Sequence, residues 1–252
     1  MTKKEALYNY IIQTADNNLI LGQRLSELCG HGPELEVDIG LTNIALDLIG
    51  HARSLYQYAA EIQNLGKDED QLAFLRARHE YFNVLLVEQP NEDFAYTIAR
   101  QFFFSVFNYL FYSELQNSND SQLAAIAEKS LKEVAYHIRY SSEWMIRLGD
   151  GTDVSHKKMQ VAVDDLWKYT AELYTMSEVD QLMLEEGIGI DLNKIKALYL
   201  AKVEEVMEEA TLTIPTNGWT QKGGKEGQHT EHLGHILTEM QWMQRTYPNM
   251  KW

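Results

Sequence analysis

The sequence predicts an all-α protein, a helical bundle with additional peripheral helices. Three observations carry this. Apolar residues recur at spacings of three and four along most of the chain, and no stretch alternates apolar and polar side chains over a useful strand length. All four prolines, Pro33, Pro90, Pro215 and Pro248, fall between or after the periodic stretches, where a missing N–H and a fixed φ end helices cheaply. No repeat at a fixed period stands out. The 252 residues suffice for one large helical domain, with a bundle core over roughly 5–149 and peripheral helices over roughly 155–247.

A first helix, over roughly 5–29, carries Leu7, Ile11, Ala15, Asn18, Leu21, Leu25 and Leu28 on one stripe and stops at Gly30-His31-Gly32-Pro33. The second, over roughly 37–65, repeats the pattern in Leu41, Ile44, Leu48, Leu55, Ala59 and Ile62, and Gly66 ends it. Leu72, Leu75, His79, Phe82 and Leu86 predict a third helix before Gln89-Pro90. Phe94, Ile98, Phe102, Val106 and Leu110 predict a fourth, ended by Asn117-Ser118-Asn119-Asp120. A fifth spans roughly 122–148 and a sixth runs from Met159 to Met176. A short element follows over roughly 178–186, then a helix over roughly 193–212 whose acidic side holds Glu204, Glu205, Glu208 and Glu209. The linker Pro215-Thr216-Asn217-Gly218 leads to a last helix near Thr230, striped by Leu233, Ile236, Leu237, Met240 and Met243.

Charge and cysteine usage exclude several classes. With 22 basic and 37 acidic side chains the net charge is −15, which repels phosphodiester backbones, so no nucleic acid is expected. Cys29 is the single cysteine, which precludes an intramolecular disulfide. Met1-Thr2-Lys3-Lys4 enters a polar helical pattern without an export signal, so a cytoplasmic location is expected. The most apolar run, 102–112, is far shorter than the roughly 20 residues that cross a bilayer, so no membrane association is expected, and this aromatic helix is either the centre of the bundle or the face that meets a partner.

Two stretches nearly spell a di-iron site. Asp47 is followed four residues later by His51, and Glu133 by His137, each within a helical pattern. Carboxylate-bridged bundle oxygenases use Glu-x-x-His on two helices and a single Glu on two others. Here Gly50 and Tyr136 hold the third place, and one residue of displacement turns the imidazole by about 100° around the helix. The remaining helices offer only Asp16, Glu27 and Glu114. Residues four apart still share a face, so each pair suits either metal chelation or a hydrogen-bonded helical pair. The first option predicts an autonomous di-iron oxidase and the second a degenerate, metal-free centre.

The one literal Glu-x-x-His, Glu226 to His229, lies in a glycine-rich segment. His229, His232 and His235 with Glu231 offer zinc donors, but imidazoles at these intervals spread around a helix; the same cluster reads as a helix start with Thr230 as N-cap. Lys222-Gly223-Gly224-Lys225 suits a phosphate cradle or a flexible connector. Residues 76–83, Arg-Ala-Arg-His-Glu-Tyr-Phe-Asn, mix cations, aromatics and an amide, and suit an acyl-CoA margin or an ordinary surface. No nucleophile elbow or Cys–His dyad emerges. A helical interaction module unrelated to oxygenases is a third reading.

Several motifs resemble the C subunits of bacterial phenylacetyl-CoA epoxidases. They are Cys29-Gly30-His31-Gly32-Pro33-Glu34-Leu35-Glu36, Asn43-Ile44-Ala45-Leu46-Asp47-Leu48-Ile49-Gly50, Leu86-Val87-Glu88-Gln89-Pro90-Asn91 and His229-Thr230-Glu231-His232-Leu233-Gly234, with Gly151-Thr152-Asp153-Val154-Ser155 and Glu239-Met240-Gln241. The resemblance spans essentially the whole chain. It implies a ferritin-like four-helix bundle that acts as a structural subunit without a cofactor of its own. Its partner would be a homologous A subunit that carries the di-iron centre, with possible B and reductase subunits. Such a complex inserts one atom of O₂ into the ring of phenylacetyl-CoA, with electrons from NADPH through the reductase's flavin and iron–sulfur groups. The resemblance also implies CoA ester contacts at Glu80, Tyr81, Phe82 and Asn83 and at Gln181, Leu182 and Met183.

Overall fold

The computed structural model describes residues 1–216, 218–248 and 250; Asn217, in the expected linker, lies outside the described residues. Among the described residues the regular structure is helical throughout, so the all-α class holds. The chain forms two compact units, Met1–Pro90 with Gly223–Trp252, and Asn91–Lys222.

The first unit is built on a hairpin of two long helices, α1 (Lys3–Ser26) and α2 (Leu35–Gln63). Thr2 starts α1 with a reciprocal cap. Its hydroxyl accepts from the Glu5 N–H at 3.2 Å, while the Glu5 carboxylate accepts from the Thr2 N–H at 2.7 Å and is held below the usual range by that bond. The α1–α2 turn is tied by Asp38, whose Oδ2 accepts from the N–H groups of Gly30 at 2.8 Å and Gly32 at 2.9 Å. Asn64, with φ of 54°, ends α2 in the left-handed region.

The helix expected over residues 72–86 is largely absent. A short α3 (Glu69–Phe74) is followed by a single 3₁₀ turn and then by irregular backbone through Pro90. Leu75 is 46 % exposed and His79 is exposed, so the apparent stripe at 72, 75, 79, 82 and 86 is coincidental. The backbone groups are satisfied outside the segment instead: Phe82 donates to Asp16 at 2.8 Å and Val84 to Asn17 at 2.8 Å. We call residues 81–90 the strap. The last helix, α9 (Glu231–Thr246), packs on α1 and α3, so it belongs with the first hairpin.

Glycines let the approach to α9 lie against the strap. A Cβ on Gly224 would overlap the Asn83 carbonyl oxygen, and one on Gly227, whose φ is 74°, would sit 2.5 Å from the His79 carbonyl oxygen. This segment is therefore a fitted backbone contact rather than the loose connector that its composition suggests. Gly224→Ala is expected to cost about 1–3 kcal/mol through overpacking, read as a lower urea midpoint with an unchanged slope.

The second unit holds α4 (Phe94–Leu115) and α5 (Ser121–Gly149), a second long hairpin, with α6 (Asp153–Thr170), α7 (Glu178–Glu185) and α8 (Leu192–Glu209). Side-chain oxygens of Asp93, Asp120, Thr152, Ser177 and Asp191 cap these helices in turn. The aromatic helix α4 is packed by α5, α6 and α8, so its Phe102, Phe103 and Phe104 are buried, and Phe103 meets Trp167 of α6 edge-on. No helix among the described residues is long and apolar enough to cross a membrane.

Candidate functional site

The acid–histidine pairs lie one in each unit. On α2, Asp47 is half-buried and His51 buried; on α5, Glu133 is half-buried and His137 buried. The register question is answered by their neighbours. Gly50 and Tyr136, which hold the positions a Glu-x-x-His motif would give to histidine, are both exposed. A histidine there would face water, whereas the fourth position faces the interior on both helices.

Asp16, midway along α1, is the buried acid nearest in type to a bundle ligand, and protein donors surround it. Its Oδ1 accepts from the Tyr56 hydroxyl and from Arg76 Nη2, and its Oδ2 from Arg76 Nη1 at 3.0 Å and from the Phe82 N–H. A carboxylate has about four acceptor positions, so this one is filled. Arg76 is itself held by the carbonyl oxygens of Leu72 at 2.5 Å and Glu80 at 2.6 Å, and lies over the Tyr81 ring at 4.0 Å. Burial opposes its charge, yet the Asp16 carboxylate outweighs this and raises its pKa. Burial, reinforced by Asp16, pushes the Tyr56 phenol well up, which keeps it a donor.

A second filled acid anchors the strap to the start of α9. Glu88 is fully buried. Its Oε1 accepts from both the N–H and the hydroxyl of Thr230, each at 2.7 Å, and its Oε2 from Asn83 Nδ2 and His229 Nδ1, each at 3.0 Å. Thr230 stands at the N-cap as expected, but its hydroxyl serves Glu88 rather than its own helix. His229 Nε2 lies 2.8 Å from the Tyr81 carbonyl oxygen, which can only accept, so that nitrogen carries a proton. With a carboxylate at Nδ1, the ring suits the doubly protonated form. Burial works against that charge, but the hydrogen bond and charge of Glu88, aided by the Tyr81 carbonyl, raise the His229 pKa. Arg24 completes the knot by donating Nε and Nη2 to the Glu88 carbonyl oxygen at 3.1 and 2.8 Å.

The whole chain, residues 1–252, matches the family described as phenylacetic acid catabolic protein. The chain belongs to that family. It is also 50% identical over 243 residues to the C subunit of the 1,2-phenylacetyl-CoA epoxidase of Escherichia coli (strain K12), an alignment covering 96% of this chain and 98% of the relative.

In this member of the phenylacetic acid catabolic family, the further acids that the helices offer are engaged by protein cations and donors. Asp16 is saturated by Arg76, Tyr56 and Phe82, Glu27 pairs with Arg24 at 3.0 Å, and Glu114 accepts from Lys194 at 2.8 Å. No three His, Cys, Asp or Glu side chains cluster as metal donors among the described residues. His229, His232 and His235 likewise do not converge: His229 is committed to the strap, while His235 is exposed. Of the residues expected to touch a CoA ester, Tyr81, Asn83 and Met183 are enclosed, Phe82 and Leu182 are half-buried, and Glu80 and Gln181 are exposed. Glu80 caps the 3₁₀ turn by accepting from the Ala77 N–H at 2.6 Å, and Gln181 donates to Glu185 at 3.0 Å. The two filled acids are not foreseen by sequence reasoning as a pair of centres. Glu88 carries a usable signal, an acid directly after Leu85-Leu86-Val87, which demands internal partners if buried.

Proposed function

We propose that this chain is the structural, non-catalytic C subunit of a multicomponent phenylacetyl-CoA epoxidase acting in phenylacetate catabolism in the cytoplasm. The observation that carries this reading is the near-complete alignment, at 50% identity, with the C subunit of such an epoxidase. The displaced histidines and the saturated Asp16 support it, because the one fully buried acid midway along α1 is engaged with protein donors. The partner is a homologous A subunit that holds the di-iron centre, and a reductase passes electrons from NADPH through flavin and iron–sulfur groups; the assembly also includes a B subunit. In this role the chain holds the A subunit in its folded, active arrangement, since a partner that binds only the folded form stabilises it by mass action. The acyl-CoA lies at the margin of the first unit, where Glu80 and Phe82 offer surface. The net charge of −15 disfavours nucleic acid as a ligand.

Co-expression with the A, B and reductase subunits tests the role. The chain is expected to co-purify with the A subunit, and phenylacetyl-CoA epoxidation is expected to fall to background when it is omitted. Full epoxidation without it, or no association with the A subunit, would remove the assignment.

A further inference from the structure

We propose that the outward face of the first half of α2 is the docking surface for a partner helix whose aliphatic stripe is bordered by Lys and Arg. This rests on the proposed role within an epoxidase, with the A subunit as the source of that helix. Leu35, Ile39 and Leu46 are 71, 52 and 61 % exposed, and with Asn43 and Gly50 they fall on one face at helical spacing. A Cβ on Gly50 would meet nothing within 4 Å, so the face is open at its far end. Single exposed aliphatics are ordinary on a protein surface; three aligned on a helix face without a charge among them are not. The other long hairpin supplies the contrast. Exposed positions of α5, equal in length to α2 at 29 residues, include Glu128, Lys129, Lys132, Arg139, Glu143 and Arg147.

Charge selects the occupant. Between Leu35 and Ala52, α2 has no Lys or Arg, and the stripe is flanked by Glu34, Glu36, Asp38 and Asp47. A second copy of this chain, itself at −15, would bring the same acids against them, and like charges facing across an interface are costly. A basic border on the partner matches both the apolar stripe and its acidic edges.

The test uses the full chain and the purified A subunit. Ile39→Glu and Leu46→Glu are combined in one variant, and both positions are exposed, so circular dichroism and the urea midpoint are expected to match the wild type. Binding to the A subunit is expected to weaken by about thirtyfold or more, as for loss of a hot-spot pair. A Glu36→Lys variant is expected to bind more weakly and with a shallower salt dependence than the wild type. Unchanged binding by the double variant would overturn the docking face while leaving the proposed role intact, whereas a wild-type chain that never binds the A subunit would overturn both. Sedimentation showing a wild-type homodimer that the double variant dissolves would assign the face to a second copy and reject the proposal.

Discussion

Arg76→Met should unfold the first unit at markedly lower urea, with a loss of about 3–5 kcal/mol, because it leaves the Asp16 carboxylate buried without its cation. The Asp16 side chain is fully enclosed, and the guanidinium contributes two of its four donors. Tyr56 and the Phe82 N–H remain but carry no full charge to balance it. The guanidinium also bridges the Leu72 and Glu80 carbonyl oxygens, so the turn between α3 and the strap loses two ties at once. Asp16→Asn combined with Arg76→Met should cost clearly less than the sum of the single changes, since neither charge is then stranded. Additive losses in the urea series would show that the pair is not coupled and that each side chain acts through its own packing.

Glu88→Gln should have the next largest effect. Four donors converge on this carboxylate from Asn83, His229 and Thr230, and an amide nitrogen in place of one oxygen points a donor at a donor. Removing one partner of a buried ion pair costs about 3–5 kcal/mol, and here the loss falls on the junction between the strap and α9. The pH dependence carries a definite sign. The folded-state pKa of His229 is raised, chiefly by Glu88 acting against burial, so the contribution of its proton is fully present below the unfolded-state value of about 6.5. That contribution is lost as pH rises through the higher folded-state value. The stability gap between the wild type and His229→Gln should therefore be widest in mildly acidic buffer and narrow as pH is raised. A gap that widens with pH would mean that His229 is held neutral.

Both features show where sequence reasoning succeeds and where it stops. Helical periodicity places the long helices well, because a stripe such as Leu41, Ile44, Leu48 and Leu55 is fixed by the 3.6-residue turn alone. The same rule misleads over residues 72–86. Apolar spacing there is helix-like, but Arg76 finds partners on α1 and α2, Val84 on α1, Tyr81 on α9 and Glu88 on the two residues that lead into α9, and these tertiary hydrogen bonds outweigh local preference. The register of Asp47 with His51 and of Glu133 with His137 is legible from spacing. What fills the buried acid on α1 is not, because nothing in the local sequence links Asp16 to a guanidinium 60 positions away. His229 reads in isolation as a zinc donor or a helix-start residue, and only its place between Glu88 and the Tyr81 carbonyl gives it an ionic role.

In the proposed role this chain supports chemistry housed in its partner, and iron analysis of the purified chain, alone and then in complex with the A subunit, tests that most directly. The isolated chain is expected to hold no stoichiometric iron and to consume no oxygen; iron is expected with the A subunit present, and oxygen consumption once the reductase and NADPH are supplied as well. A pair of iron ions bound by the isolated chain, lost on substitution of His51 or His137 and accompanied by oxygen consumption, would contradict it.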